Sequence, residues 1–212
     1  MTAAIEVKNL NLILKKETIL DDISVAYEKG KIHGVMGRNG SGKSMLFKCI
    51  CGFVIPSSGE ITVLGQKVGR EVDFPKCVGV AIENPNFIPY YSGYQNIKML
   101  ASLSGGISED EISELFELVK LDKRLKKHVK KYSMGMKQRL ALIQAMMGKP
   151  DLLVLDEPMN GLDKNGVDDM RKLFLDYRDK GKTILMASHN PDDIRLMCDQ
   201  TYEIEKGVLQ HL

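Results

Sequence analysis

Tryptophan is absent from this 212-residue chain, and aromatic residues of all kinds make up only 6% of it. A core without large rings must rely on aliphatic side chains, and these are plentiful, since 43% of the residues are hydrophobic. With 27% of residues charged, the composition is that of an ordinary globular protein of one domain and argues against disorder. No charge of one sign dominates: 30 Lys and Arg face 28 Asp and Glu, a net +2. That balance argues against a dedicated nucleic-acid binder, so no nucleic-acid partner is expected. Cysteine is scarce. Cys49, Cys51, Cys77 and Cys198 form no paired CxxC spacing, which argues against zinc and for reduced thiols. No apolar run approaches the ~20 residues of a membrane-spanning helix; the nearest, Met45 to Pro56, is short and contains Lys48. The first residues lack the basic start and apolar stretch of a signal peptide. The expectation is a soluble, cytoplasmic protein that reaches any membrane only through a partner.

Periodicity divides the chain in three. Ile5, Val7, Leu10 and Leu12 interleave with Glu6, Lys8 and Asn11 as a half-buried strand, and further strands are predicted near 19–27, 32–36 and 59–66. The middle is helical. Ser108 and Glu111 have the spacing of a reciprocal capping box, ahead of a helix burying Ile112, Leu115, Phe116 and Val119. Helices are also predicted over 96–103 and 136–147. The last third alternates: the apolar run 151–156 reads as a parallel strand covered on both faces, followed by an amphipathic helix through Val167, Met170, Leu173, Phe174 and Tyr177. A buried strand over 183–188 leads to a helix start at Asn190-Pro191, with Asp192 and Asp193 at its positive end, and a hairpin turning at Lys206-Gly207 closes the chain.

Two motifs carry chemistry. Gly37-Arg38-Asn39-Gly40-Ser41-Gly42-Lys43-Ser44 matches the phosphate-loop pattern GxxxxGK[ST], between a predicted strand and a helix. Its glycines let the backbone turn successive N–H groups inward, and the following helix adds its positive end, so an anion fits there. Lys43 would reach the outer phosphates of ATP and Ser44 would bind Mg²⁺. Downstream, the apolar strand 152–155 ends in Asp156-Glu157. Asp156 would hold Mg²⁺ through water, and Glu157 would stand where an attacking water needs polarising.

In their order these motifs resemble the nucleotide-binding domain of ATP-binding cassette (ABC) transporters, over essentially the whole chain. Tyr132-Ser133-Met134-Gly135-Met136 resembles the family's LSGGQ signature, keeping Ser133 and Gly135. The resemblance implies that this segment caps the ATP of the opposite subunit, that Asp163 in Pro158–Asp163 couples the two sites, and that His189 faces the γ-phosphate. It implies a single α/β domain: a P-loop NTPase core with an antiparallel β subdomain, over about 1–88 and 149–212, and an inserted helical subdomain over about 89–148. The implied activity is Mg²⁺-dependent ATP hydrolysis powering an integral membrane permease. Its catalytic residues would be Lys43, Glu157 and His189, and it would act as a homo- or heterodimer on the cytoplasmic face of the membrane. A soluble ABC ATPase that moves no solute, or a nucleotide-sensing homologue that has lost turnover, is the alternative.

Two departures bear on this. Where the family carries Gln, this chain has Glu83, which the resemblance places near Mg²⁺ beside the permease-docking surface. The wording Ile82-Glu83-Asn84-Pro85 is similar to the bacitracin-type and lantibiotic-immunity branch, implying export of a peptide antibiotic or similar solute. Leu14 stands where the family stacks an aromatic on adenine, which forgoes ~1–3 kcal/mol by analogy with base–aromatic stacking. A basic run from Lys120 to Lys131 is either a solvated face or a surface attracted to anionic lipid.

Overall fold

The computed structural model describes residues 2–83 and 86–212, apart from the side chain of Ser104. Asn84 and Pro85, half of the wording noted above, lie outside the described residues. Among the described residues, ten strands form two sheets. One joins β1 (Ala3–Leu14), β2 (Glu17–Glu28), β4 (Ser58–Val63) and β5 (Gln66–Lys67) in the order β2-β1-β4-β5, all antiparallel. The other is built from β3 (Ile32–Met36), β6 (Val78–Ala81), β7 (Leu152–Asp156), β8 (Thr183–Ala187), β9 (Gln200–Glu205) and β10 (Val208–His211), in the order β10-β9-β3-β8-β7-β6. Only its edge strand β10 runs antiparallel to its neighbour.

The first sheet explains an irregularity in the sequence. Buried residues fall on odd numbers at Ile5 and Val7 and on even numbers at Leu10 and Leu12. A one-residue slip would turn the apolar set outward unless the strand bulged. Asn9 adopts φ 46° between the two sets, and Asp22 adopts φ 43° at the matching switch from Leu20 to Ile23. The Asn9 amide donates to Asp22 Oδ1 at 3.1 Å, so the two irregularities are tied together.

The second sheet is covered on both faces, as its unbroken apolar strands require. Leu153 and Leu155 of β7, with Ile184 and Met186 of β8, join one core with α2 (Gly93–Ser104), α3 (Glu109–Leu118), α4 (Met134–Met146) and α5 (Lys164–Asp179). Leu152, Val154, Leu185 and Ala187 point the other way, into a core shared with α1 (Lys43–Ile50) and the first sheet. A last helix, α6 (Pro191–Met197), starts as expected, with the Asn190 side chain accepting from Asp192 N–H at 3.0 Å.

One helix start differs from the expectation. Ser108 caps α3, but the Glu111 carboxylate accepts from Gly148 N–H at 2.9 Å instead of returning to Ser108. A tertiary partner thus replaces the local one. The reciprocal box belongs to α2, where Ser92 and Gln95 exchange hydrogen bonds. α2 and α4 begin three and two residues before their predicted starts, because Ser92 and Ser133 are the caps. No helix among the described residues is long and apolar enough to cross a membrane.

Candidate functional site

Strands β3, β8 and β7 are neighbours in the parallel sheet, and each ends in a chemistry-bearing loop. Open α/β sheets bind ligands outside the carboxyl ends of their strands, where these three loops converge. The loop after β3 is the glycine-rich one. Gly42 caps α1 at φ 114° with no side-chain hydrogen bond, so the helix's first N–H groups are left for a ligand. A Cβ at Gly37 would come within 2.4 Å of Ile204 O, so that position accepts only glycine.

The side chains fill this frame densely. Lys43, 6% exposed, donates from Nζ to Gly37 O at 2.7 Å and to Arg38 O at 3.1 Å, arching back over its own loop. Ser44 Oγ donates to Asp156 Oδ2 at 2.5 Å, joining the two motifs. Glu157, at φ 50° beyond β7, meets His189 Nδ1 through Oε2 at 2.8 Å, while its Oε1 is buried without a partner. A cavity of about 350 Å³ lies between these groups, lined by Asn39, Gly40, Lys43, Ser44, Asp156 and Glu157 among others. Ser41 Oγ is likewise buried and unpartnered.

His189 is held by a network not foreseen in the sequence. Asp193, expected only as an acid at the positive end of the helix, is 3% exposed. It accepts from Arg171 at 2.6 Å and from Ser188 Oγ at 3.4 Å, and Ser188 Oγ in turn accepts from Asn190 N–H at 3.1 Å. The His189 loop is therefore anchored on both sides. The signal available was the Arg171 spacing on α5, legible only once α6 is known to lie against it.

The signature segment lies apart from the phosphate loop in this single chain, at the start of α4. Ser133 caps α4 by accepting from Met136 N–H at 3.2 Å. Tyr132, where the family carries Leu, is 7% exposed and its hydroxyl accepts from Gly93 N–H at 3.0 Å, serving the start of α2. Burial pushes its phenol pKa up. The first turn of α4 packs on the loop containing Asp163: a Cβ at Gly161 would lie 2.5 Å from Met134 Cγ, and one at Gly135 would lie 2.7 Å from Gly161 O. Asp163 itself caps α5 by accepting from Gly166 N–H at 2.9 Å. Gln138 reaches Glu157 O at 3.4 Å, a further tie between α4 and the acidic strand end.

Glu83, like Ser133 and Gly135, is a sequence-predicted residue absent from the lining of the phosphate-loop cavity. Its carboxylate accepts from Lys48 Nζ at 2.6 Å, one helical turn beyond Ser44, and its side chain is 59% exposed. A nearby ammonium offers a carboxylate a partner wherever no cation competes. Leu14, at the end of β1, is 41% exposed.

Comparison with known proteins agrees with this geometry. A family model described as ABC transporter matches residues 20–160. An uncharacterized ABC transporter ATP-binding protein of Bacillus subtilis (strain 168), YybJ, is 41% identical over 206 residues, covering 97% of this chain and 94% of that protein. The bacitracin transport ATP-binding protein BcrA of Enterococcus faecalis is 35% identical over 212 residues, covering 99% of this chain and 68% of that protein. Among solved structures, the cassette MJ0796, a dimer bound to ADP and phosphate, matches 98% of both chains at 21% identity with a TM-score of 0.86. That last likeness is one of fold.

Proposed function

Because the chain belongs to the ABC transporter family and is an ATPase subunit of that family, we propose that it drives export of a peptide antibiotic or similar solute through a separate membrane permease. The 35% identity to a bacitracin transport subunit supports this solute class. One observation carries the chemistry: Glu157 and His189 are paired at 2.8 Å beside a phosphate loop already joined to Asp156 through Ser44.

In this reading the loop from Gly37 to Ser44 and the open start of α1 hold the triphosphate of ATP. Lys43 exchanges its two carbonyl partners for phosphate oxygens. Glu157 offers its free Oε1 to an attacking water, orienting it and taking its proton, and His189 steadies Glu157 and faces the γ-phosphate. Ser44 and Asp156 supply two hard oxygen donors at hydrogen-bond distance, a set that suits Mg²⁺. When bound, Mg²⁺ neutralises charge that develops on the phosphates. Glu83 joins that set only by leaving Lys48. A second cassette, identical or related, contributes Ser133 and Gly135 to the same ATP, and the assembly docks on the cytoplasmic face of the membrane through its permease.

The test pairs two variants. Glu157→Gln retains ATP binding and loses at least ~100-fold in hydrolysis, the share of one general base. Lys43→Ala loses binding. A Glu157→Gln protein with normal turnover overturns the assignment of the base, and a folded Lys43→Ala protein with tight ATP affinity overturns the phosphate loop. Purification from membranes decides the transport reading, which needs an integral protein to accompany the chain.

A further inference from the structure

One cavity lies away from every residue placed at the nucleotide. It has a volume of about 380 Å³ and opens between α3, the end of α4 and α5. Its floor is apolar, made by Leu115, Leu118, Met146, Leu173 and Tyr177. Leu118 is 43% exposed, so part of that apolar surface is bare. Lys149 and Lys182 stand on the rim, just ahead of β7 and β8. Asp156 and His189 lie at or beyond the other ends of those strands, roughly 16 Å away along the sheet. The signature begins α4, and the cavity meets only Met146, the last residue of that helix. A ligand here touches neither the phosphate loop nor the segment that serves a second cassette.

Six charged residues ring the floor, three of each sign, and four of them have partners within the chain. Lys180 pairs with Asp176 at 2.7 Å, and Lys182 pairs with Asp151 at 2.7 Å. The Glu111 carboxylate is taken by Gly148 N–H at 2.9 Å. Glu114 on α3 and Lys149 beyond α4 remain. Their side chains pair neither with each other nor with any other described residue. One anion and one cation are thus left over beside an apolar hollow.

We propose that this cavity binds a free α-amino acid with a large apolar side chain. The ammonium of the ligand meets Glu114, its carboxylate meets Lys149, and its side chain covers the floor. Hydrogen bonds between charged groups are the strong ones, and this ligand makes one with each unpaired residue. A purely apolar ligand offers both residues nothing. A ligand of one charge satisfies one of them and approaches like charges on the rim. The volume is low in the range of small-molecule sites, which suits a single amino acid rather than a long peptide. Because α3 and α5 both form walls, the occupant ties them together and stabilises the folded chain by mass action.

Isothermal titration of the full chain without nucleotide tests this, and the outcome does not depend on ATP hydrolysis or transport. Phenylalanine or leucine should bind saturably at ~1 mM or tighter, the reach of a ligand this small, and should raise the melting temperature. Phenethylamine keeps the ring and ammonium of phenylalanine, and phenylpropanoate keeps the ring and carboxylate. Each should bind at least ~10-fold more weakly, the share of one hydrogen bond to a charged group. Glu114→Gln should weaken phenylalanine by a similar factor and leave phenylpropanoate unchanged. Lys149→Gln should do the same to phenylalanine and leave phenethylamine unchanged. Both side chains are exposed, so both variants should melt as the parent does. Glu117→Gln, on α3 but outside the lining, should alter nothing. No saturable binding of either amino acid, equal binding of phenylalanine and its two fragments, full binding by both rim variants, or an equal loss in Glu117→Gln overturns the proposal. Displacement of phenylalanine by ATP places it in the nucleotide site and overturns the proposal as well.

Discussion

Asp193 and His33 are each buried near 0% exposure, and each is satisfied in a different way. Asp193 is 3% exposed and charged beside Arg171, whose side chain is 21% exposed. Losing one partner of a fully buried pair costs ~3–5 kcal/mol, and the partial exposure of Arg171 lowers that to about 2 kcal/mol. Asp193→Asn should therefore shift the urea midpoint by that amount and lower kcat more than it raises KM, because the His189 loop loses an anchor. His33 instead stays neutral. Its Nε2–H donates to Glu28 O at 2.8 Å, and Nδ1 is buried without a partner near the rings of Tyr27 and Tyr202. Burial holds its pKa below the usual 6.5, against smaller opposing effects of Glu28 and Asp199. The unfolded chain then takes up a proton that the folded one refuses. This contribution to stability is complete above about pH 6.5 and declines as pH falls through that value. His33→Gln, which keeps a donor for Glu28 O, should flatten the acid side of the stability profile measured by urea unfolding between about pH 5 and 8.

Elements meet most closely where β6 passes under α4. A Cβ at Gly79 would lie 1.8 Å from Ala145 O, a main-chain atom that no rotamer can move aside. Gly79→Ala should cost about 3 kcal/mol, at the upper end for overpacking, because strand and helix must separate. A fall in melting temperature of only a degree or two would contradict that close approach. How far such features can be read from sequence depends on their range. Strands β7 and β8 announce themselves because an unbroken apolar run has one use in a parallel sheet, and the phosphate loop because its glycines are a local requirement. The bulge at Asn9 left a trace in the shifted parity of Leu10, but the trace means little until β2 is seen to slip with it. Glu111 fits a local cap by spacing, yet Gly148 claims it from 37 residues away. Lys48 takes Glu83 in the same manner. At the site, motif spacing located the phosphate loop and the acidic strand end and the family resemblance pointed to the loops of Ser133, Asp163 and His189, but neither could give the neighbours each loop acquires when the sheet assembles.

At the scale of the whole molecule, the proposed function divides each nucleotide site between two cassettes, so that one chain supplies half of one site and the complement of another. Ser133 and Gly135 begin α4, while Lys43 and Glu157 line the cavity at the strand ends. ABC ATP-binding subunits dimerise, and in the proposed reading the two halves complete one another across that interface. In the Glu157→Gln background ATP should therefore hold two copies together, whereas ADP should leave them apart. Adding Ser133→Ala should weaken the ATP-bound dimer by roughly 1.5–3 kcal/mol, the worth of a hydrogen bond to a charged group. Light scattering across a dilution series reads this as a ~10–150-fold rise in dissociation constant.

Before any nucleotide arrives, four side chains of the proposed site have partners within the chain, although Ser41 Oγ and Glu157 Oε1 have none. Lys43 is bound to two carbonyls, Ser44 to Asp156, His189 to Glu157, and Ser133 to the backbone of its own helix. Binding is consequently an exchange of bonds, with little net heat to be gained from any single phosphate. A small anion such as inorganic phosphate displaces one or two of these partners and gains little in return. Only a ligand long enough to replace several at once recovers the loss, so in the proposed reading the resting site should favour a triphosphate over inorganic phosphate.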